Sequence, residues 1–550
     1  MTNANVSAQG AAALAARLGT PARPWSGAPD TIATDVDGLR ARLLSLSEPV
    51  YAVRSGGVIG FTNQGDIQSA PAKSDYTCLG TAAPVSLEQF GDPAFCAWYG
   101  TRYAYYAGAM ANAIASEEMV IQLGKAGFLG SYGAAGNPPA RLEAALQRIQ
   151  AALPNGPYAI NLIHAPNEQA LEVRAVELFQ RYNITTVEAS AFIDLSPSII
   201  YYRVSGLSQA PNGQIQIKNR VIAKLSRKEV AARFLAPPPA AVVSQLLAEG
   251  RITPEQANLA QYIPMADDIT VEADSGGHTD NRALVCLLPT MLALRDEYQE
   301  RHHYARPVRI GAAGGISTPG AALGAFMMGA AFIGTGSVNQ ACVEAGASEH
   351  TRSLLAQLDM ADVTMAPSAD MFEMGVKVQV VKKGTLFAMR ALKLYDLYSR
   401  YNAWEDVPQE ERDRIEKQVF KREFSAIWQD TVKFFTERDP DQIARAKDNP
   451  KRQMALVFRW YLGLSSRWSN AGEKGREMDY QIWCGPAIGP FNDWTRGTYL
   501  ADFRSRKVVD VALQILTGCA YLYRLQGLKM QGLLIPSVLE QYRPDQPLFA

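Results

Sequence analysis

The sequence predicts a closed parallel (β/α)8 barrel, a TIM barrel, preceded by a turn-rich segment with a small β-hairpin and followed by a helical domain. From about residue 103 to 336, a short apolar strand, a turn with Gly or Asn and an amphipathic helix alternate repeatedly. Eight buried strands alternating with helices favour a barrel. A doubly wound open sheet is the structural alternative, because alternation alone does not establish closure. We divide the chain into residues 1–95, 96–395 and 396–550.

Eight short apolar runs are the predicted barrel strands, and each leads into a turn. They are Tyr103–Ala109, Phe128–Tyr132, Tyr158–Ile163, Thr185–Ala189, Val221–Leu225, Ile269–Ala273, Val308–Ala312 and Ala331–Gly334. The helix after the first strand begins at the capping residue Ser116 and ends near Gly127. Two insertions interrupt the repeat: a hairpin turn at Pro211-Asn212-Gly213, and added helices over about residues 226–266.

The regions outside the barrel have different patterns. Within residues 1–95, Tyr51–Ser55, Gly56-Gly57 and Val58–Thr62 predict a tight β-hairpin. Residues 396–550 carry long helical patterns with many Trp and Arg residues and no repeated strand–helix unit. These patterns predict a C-terminal helical domain that packs on the barrel.

Charge and cysteine content exclude several classes of protein. Lys plus Arg and Asp plus Glu each number 54, so no global charge favours nucleic acid or an anionic membrane as a partner. The six cysteines form no CxxC pair, which is typical of reduced thiols in a cytoplasmic protein and predicts no metal site. The N-terminal segment has no basic start followed by an apolar core, so we expect no signal peptide.

One uncharged segment, between Arg309 and Glu344, raises the question of a membrane span. Glycine, serine and threonine recur throughout it, and Ser317-Thr318-Pro319 has the form of a helix start. We interpret the segment as two buried strands around a short helix, and we expect no membrane span.

Glycine-rich turns follow the last two predicted strands. Strand seven leads into Ala313-Gly314-Gly315, and strand eight leads into Gly334-Thr335-Gly336-Ser337. Phosphate sites in such barrels are typically built from the loops after strands seven and eight. Glycine in these loops lets backbone N–H groups approach phosphate oxygens. Two such turns on adjacent strands favour a phosphate ligand over simple tight turns.

The loop after strand six carries the candidate catalytic residue, His278. Gly276 and Gly277 before it suit close approach to a flat cofactor or substrate, and an imidazole can donate a hydrogen bond or a proton near neutral pH. The alternatives are a turn in which Asp280 caps the next helix, a metal site shared with Asp280, and a hydrolase built on Ser275. The last two are disfavoured, because neither a second His or Cys ligand nor a nucleophile elbow is close in sequence.

Three other strand ends carry candidate ligand-binding residues. Ala109 and Met110 follow strand one, where small residues allow backbone contact with a planar ring or simple packing. Asn161, late in strand three, either binds a ligand or forms a turn. Lys224 is a cation in apolar strand five; pointing inward it needs an anionic partner, which a flavin or phosphate would supply. Pointing outward, it would extend between helices to solvent.

Eight segments along the chain carry a family resemblance. They are GAMANAIASEE, YAINLIHAPNE, TVEASAF, EADSGGHTDNR, GAAGGISTPGAAL, GTGSVNQACVEAG, MADVTMAPSADMFEMGVK and FRWYLGLSSRW. Together they strongly resemble the PfaD family, the trans-acting enoyl reductases of bacterial polyunsaturated-fatty-acid and polyketide synthases. The likeness runs from about Gly91 into the C-terminal helices. The barrel part also resembles the wider superfamily of nitronate monooxygenases and flavin enoyl reductases.

The resemblance implies roles for individual residues. The superfamily's active-site Gly-Gly-His turn matches Gly276-Gly277-His278, and its flavin-phosphate glycines match Gly314-Gly315 and Gly334-Thr335-Gly336. Its strand lysine and strand asparagine match Lys224 and Asn161 less closely. The serine before the two glycines and the long C-terminal extension depart from the monooxygenases and favour the reductase branch.

The resemblance further implies FMN as the cofactor, NADPH as the electron source and an enoyl group on acyl carrier protein as the substrate. His278 is then the hydrogen-bond donor to the thioester oxygen or the proton source. Two other functions stay open: a flavin oxidase of the nitronate type, and a non-catalytic docking subunit that keeps the barrel as a scaffold. A homodimer is also left open by the sequence.

A basic stretch suggests where an acidic carrier protein could bind. Residues 441–476 hold eight basic and three acidic residues. Arg452 and Arg459 are seven apart, hence on one face of a helix, and a basic face would steer an acidic partner. The alternatives are an ordinary solvated helix face and Arg–Trp stacking inside the domain, with Trp460 and Trp468 close by.

Overall fold

Eight parallel strands close into a barrel at the centre of the computed structural model, which describes residues 14–69, 75–166 and 168–549. In chain order they are β1 Tyr105–Ala107, β2 Leu129–Tyr132, β3 Ala159–Ile163, β4 Thr186–Ser190, β5 Arg220–Leu225, β6 Asp268–Glu272, β7 Arg309–Ala313 and β8 Ile333–Thr335. The ring closes where β8 pairs with β1, Ile333 opposite Tyr105. The predicted TIM barrel is confirmed, and the open-sheet alternative is wrong.

Helices cover the barrel in the alternating order that the sequence predicts. They are Glu117–Lys125, Pro139–Ala152, Gln169–Arg181, Pro197–Ser205, Lys228–Leu235, Ala240–Ala248, Pro254–Leu259, Leu284–His302, Pro319–Met327 and Ser337–Gln340. Ser116 caps the first, since its side chain accepts from the Met119 N–H. The strands contain mainly apolar residues and are largely buried, because helices cover one side of them and barrel side chains fill the other.

Both predicted insertions lie in the barrel wall. Leu207–Gln209 and Ile215–Ile217 form an antiparallel hairpin around Gly213, which has a φ of 83°. The helices of residues 228–259 follow β5, and Thr253 begins the third of them with a capping box. The uncharged segment after Arg309 contains β7, a helix and β8, as predicted.

A five-stranded sheet precedes the barrel. Its strands, in spatial order, are Val58–Thr62, Val50–Ser55, Tyr76–Ala82, Arg23–Ser26 and Asp66–Ile67, with the helix Val36–Leu44 against it. The predicted hairpin is present, with Ser55 opposite Val58. A separate two-stranded pairing joins Ala15–Ala16 to Leu533–Leu534 near the other end of the chain.

A small three-stranded sheet, which the sequence does not predict, joins the loop after β6 to the segment after the barrel. Gly277–His278 pairs with Lys377–Val381, which pairs in turn with Val363–Pro367. His278 lies opposite Val378. The candidate catalytic loop is therefore held as a strand by residues about one hundred positions further along the chain.

The C-terminal part is helical. Its helices are Phe387–Arg400, Gln409–Ile415, the π-helical Glu416–Phe420, Phe424–Arg438, Pro440–Ala446, Pro450–Ala471, Ile488–Thr495 and Val508–Met530. Those up to residue 471, apart from Pro440–Ala446, share an apolar core with the small sheet. The three domain boundaries stay a prediction.

Helix Val508–Met530 is long and apolar enough to cross a membrane, and within the described ranges a bent pair, Lys228–Leu235 with Ala240–Ala248, passes the same test. Of the apolar window in Val508–Met530, 78% is buried inside the protein. The helix packs against Pro319–Met327 of the barrel and Tyr76–Ala82 of the N-terminal sheet. Its hydropathy is thus that of a core helix.

Candidate active site

A cavity of about 1000 Å³ opens at the carboxyl ends of the barrel strands. Every site residue that the sequence predicts lies on its wall: Ala109, Met110, Asn161, Lys224, Gly276, Gly277, His278, Ala313, Gly314, Gly315, Gly334, Thr335, Gly336 and Ser337. The C-terminal helices Phe424–Arg438 and Pro450–Ala471 supply another wall. The barrel and the helical part therefore enclose one site together.

Three backbone N–H groups in the turns after β7 and β8 have no protein acceptor. In the described part of the chain, the amides of Gly314, Gly315 and Gly336 donate to no other residue. Gly314 and Gly315 have φ values of 79° and 83°, which favour glycine. A Cβ on Gly314 would lie 2.6 Å from the Ala273 backbone, whereas Gly315 and Gly336 have no atom within 4 Å of that position. Open space and free donors suit an anionic ligand.

The side chains of Thr335 and Ser337 are already engaged within the protein. The Thr335 hydroxyl donates to the Tyr105 hydroxyl at 2.7 Å. The Ser337 hydroxyl accepts from the Gly485 N–H at 2.9 Å. Both side chains are therefore already used by the protein, and Ser337 connects the turn after β8 to the C-terminal part.

His278 forms an ion pair with Asp370, which sequence reasoning misses. The Nε2 of His278 lies 3.0 Å from Oδ2 of Asp370, and Ser368 donates to the other carboxylate oxygen. Burial lowers the pKa of His278, but the Asp370 carboxylate outweighs this effect and raises that pKa above its usual value. Burial likewise raises the pKa of Asp370, but His278 and Ser368 hold it well below its usual range. The Asp370 carboxylate thus favours the cationic, hydrogen-bond-donating form of His278.

Glycine is favoured at the two positions before His278 for different structural reasons. A Cβ on Gly276 would lie 2.8 Å from the backbone of Cys484, so this glycine is needed for close approach of the C-terminal segment. Gly277 has a φ of 78° and open space beside it. Gly276 therefore packs closely against protein while it also lines the cavity, and its contact with a ligand stays a prediction.

Lys224 points inward between two carboxylates. Its Nζ lies 3.5 Å from Oε1 of Glu188 and 3.4 Å from Oε1 of Glu272. Burial lowers the pKa of Lys224, but the two carboxylates outweigh it and raise that pKa well above its usual value. Burial raises the pKa of Glu272. Two anionic partners of Lys224 are therefore protein carboxylates, which the sequence does not predict, and a contact of Lys224 with the cofactor stays a prediction.

Two other predicted residues, Ala109 and Asn161, donate hydrogen bonds to Glu188 of this buried group. The Ala109 N–H donates to Oε2 of Glu188 at 2.8 Å. The Asn161 amide nitrogen donates to the Glu188 carbonyl at 3.2 Å and to the Ser190 hydroxyl at 2.8 Å. Asn161 thus links β3 to β4, and its amide nitrogen is already used by the protein.

Arg452 and Arg459 do not form an exposed basic face, and docking of a carrier protein stays a prediction. Arg459 is 12% exposed, and its guanidinium pairs with Glu373 at 3.3 Å and with Glu168 at 3.9 Å at the cavity wall. Arg452 is partly buried and donates to Gln442 at 2.7 Å. Arg476 lies over the ring of Trp468, which is the stacking alternative. Helix Pro450–Ala471 thus holds Arg452 and Arg459 in contacts within the protein, whereas Arg467 on the same helix is exposed.

Asp280 does not cap the helix after the histidine loop. Its carboxylate accepts from the Ser226 hydroxyl at 2.6 Å and pairs with Arg227 at 2.8 Å, while the N-cap of that helix is Ala283. No group of three or more His, Cys, Asp or Glu side chains within the described ranges could hold a metal ion. The carboxylates of this site instead bind neighbouring cations of the protein.

Sequence reasoning misses three carboxylates of the site: Glu188, Glu272 and Asp370. A charge inside an apolar strand is the signal that identifies Lys224, and the same signal is present for Glu188 in β4 and Glu272 at the end of β6. Asp370 has no comparable signal, because it lies in a polar turn 92 residues from His278.

Comparison with known proteins assigns the chain to a family. Residues 25–84 match the family model described as fatty acid synthase subunit PfaD N-terminal domain. The crystal structure of the enoyl reductase domain of MlnA, from the macrolactin biosynthesis cluster of Bacillus amyloliquefaciens, is 40% identical with a TM-score of 0.76. The match covers 80% of this chain and 100% of that one. The chain belongs to the PfaD family of enoyl reductases.

Other relatives of this PfaD-family chain are longer proteins. A polyunsaturated fatty acid synthase subunit of Thraustochytrium sp. is 46% identical over 90% of this chain and 33% of its own length. Polyketide biosynthesis protein PksE of Bacillus subtilis is 43% identical over 83% of this chain and 59% of its own. The chain thus spans about a third to three fifths of these two curated relatives.

The helices beside the cavity have a match of their own. Residues 401–480 of this PfaD-family chain match the model described as [acyl-carrier-protein] S-malonyltransferase, inserted helical domain. This segment includes the whole of Phe424–Arg438 and Pro450–Ala471, two helices that line the cavity.

Proposed function

We propose that the chain is an FMN-dependent enoyl reductase that uses NADPH to reduce the carbon–carbon double bond of enoyl thioesters on acyl carrier protein. The observation that carries this proposal is one cavity with free glycine amides on one part of its wall and the His278–Asp370 pair on another. Its setting is fatty acid or polyketide synthesis, as the names of the relatives suggest. A cytoplasmic location and a homodimer stay predictions.

The residues at the ends of β7 and β8 fit the phosphate of FMN. Gly314, Gly315 and Gly336 have unpaired N–H groups, and Gly315 and Gly336 have open space beside the α-carbon. Ala109 and Met110 would contact the ring system from the end of β1, which is consistent with their position on the cavity wall. FMN, when bound, supplies hydride to the β-carbon of the enoyl group.

His278 is the residue that we assign to the substrate. Reduction of an enoyl thioester places negative charge on the thioester oxygen and requires a proton at the α-carbon. A protonated imidazole can donate to that oxygen or supply that proton. Asp370 fixes the ring through Nε2 and favours its protonated form, so Nδ1–H is the group left to donate.

The visible spectrum of the purified protein tests the proposal. We expect a yellow protein whose flavin bleaches with NADPH under anaerobic conditions and recovers its colour when crotonyl thioester is added. Turnover of nitronate in air, without reduction of crotonyl thioester, would favour the oxidase instead. A colourless protein that takes up no FMN would favour a docking subunit.

The pH dependence of flavin reoxidation by enoyl thioester should depend on Asp370. Because Asp370 raises the pKa of His278 and the protonated imidazole is the proposed donor, the rate should be highest at low pH and fall as pH rises through that pKa. Asp370→Asn removes the carboxylate, lowers the pKa of His278 and should move the falling limb to lower pH. Single-turnover rates between pH 5.5 and 9, a range about the usual pKa of histidine, measure the shift.

Asp280→Asn is the matched control for that experiment. Asp280 is two residues from His278, but its carboxylate binds Ser226 and Arg227 instead of the imidazole. Its substitution should leave the limb in place. If the falling limb of the pH profile stays at its wild-type position in Asp370→Asn, or shifts equally in both variants, the pH dependence does not arise from the His278–Asp370 pair.

A further inference from the structure

Three large apolar side chains on the cavity wall are strongly exposed. Ile193 is 45% exposed, Met374 is 59% exposed and Phe434 is 44% exposed. They come from three separate elements: the segment after β4, the turn Phe372–Met374 and the helix Phe424–Arg438. Apolar surface left in water is unfavourable, and exposed apolar side chains that line a cavity mark a wall where an apolar ligand can bind.

The part of the cavity wall that carries Ile193, Met374 and Phe434 is rigid at some positions and adaptable at others. Phe192, next to Ile193, stacks on His164 with ring centroids 4.8 Å apart and meets Phe234 edge-on at 5.8 Å. Phe434 meets Phe435 edge-on at 5.1 Å. Met374 has a flexible thioether side chain that can follow the shape of an apolar ligand. None of these groups is used by the phosphate site or by His278.

We infer that Ile193, Met374 and Phe434 form a subsite for the apolar acyl chain of the substrate. This inference rests on the proposed function and specifies its substrate: an enoyl thioester whose hydrocarbon chain continues beyond the double bond. The cavity, at about 1000 Å³, is at the upper end of the range for ligand sites, which leaves room for a second ligand beside a cofactor. The helical segment 401–480 then helps to determine chain length, since it contributes Phe434.

Pantetheine thioesters with enoyl chains of about four and about ten carbons test the subsite on the full-length FMN-loaded protein. The ratio of kcat/KM values should favour the longer chain, because each buried methylene is worth about fourfold in binding. Met374→Gln and Phe434→Ser should each reduce this ratio by about tenfold. Equal losses on both substrates, or an unchanged ratio in both variants, would overturn the subsite.

Met389→Gln is the matched control. Met389 is 61% exposed, nearly the same as Met374, but it lies on helix Phe387–Arg400 and not on the cavity wall. Its substitution should leave the kcat/KM ratio at the wild-type value. A fall in that ratio equal to the one in Met374→Gln would show a general surface effect and overturn the subsite.

Calorimetry with the saturated decanoyl and butyryl pantetheine thioesters separates this inference from the proposed function. The wild-type protein should bind the decanoyl compound more tightly, and Phe434→Ser should remove most of that preference. Chain-dependent binding without any enoyl reduction would refute the function and retain an apolar-ligand site. Enoyl reduction without any chain dependence would refute the subsite and retain the function.

Discussion

His278→Ala should slow the reoxidation of reduced flavin by an enoyl thioester by about a hundredfold or more, the contribution expected of a positioned acid and oxyanion donor. His278 lies on the cavity wall, and Asp370 holds its Nε2 at 3.0 Å. Alanine removes the donor and leaves the glycine turns after β7 and β8 unchanged. FMN content and reduction by NADPH should therefore persist, and stopped-flow spectroscopy of the two half-reactions would resolve the difference.

His350→Ala is a suitable control for that experiment. His350 is exposed on helix Glu349–Leu355, meets the ring of Tyr480 and lies off the cavity wall, so its loss should affect neither half-reaction. If His278→Ala is reoxidised by enoyl thioester at the wild-type rate, His278 is a turn residue and the chemical assignment fails. If both half-reactions slow together, the substitution has disturbed the cofactor.

Gly315→Asp should yield a folded protein that binds FMN about a hundredfold more weakly or worse. A Cβ at Gly315 meets no protein atom within 4 Å, so the new carboxylate would occupy the space we assign to the phosphate. Two unit charges about 4 Å apart repel by about 4 kcal/mol at an effective dielectric constant of 20. Flavin content after purification and titration of the apoprotein with FMN are the measurements.

Gly315→Asn isolates the charge from the backbone strain. The φ of 83° at Gly315 strains any residue with a side chain, and asparagine has nearly the same size as aspartate. The asparagine variant should keep measurably more FMN than the aspartate variant. Equal and full flavin occupancy in both would refute the phosphate assignment, whereas equal loss would point to strain alone.

The sequence was sufficient to predict the barrel strands and the glycine turns. Strands such as β7 and β8 are buried along their whole length, so their mainly apolar runs and the turns that end them are local signals. The free amides at Gly314 and Gly315 depend on backbone conformation, which glycine in a short turn already indicates.

The ion-pair partners of Lys224 could not be predicted from such local patterns. Glu188, Lys224 and Glu272 come from three strands, and they meet because the register sets Ser190 opposite Lys224 and Lys224 opposite Thr270. A one-residue change of register would turn Lys224 to the other face of its strand. The barrel's closure, and not any local pattern, thus decides that a protein carboxylate neutralises this lysine.

The sequence by itself determined the barrel strands, the glycine turns and the place of His278, because strand burial, turn geometry and strand-end position are encoded within a few residues. Only the tertiary structure decided that Asp370 orients His278, that Gly276 packs on Cys484 and that Arg459 turns inward to Glu373. Each of these contacts joins segments more than 80 residues apart. Their geometry depends on how the C-terminal helices and the small sheet pack over the barrel mouth, which no local pattern specifies.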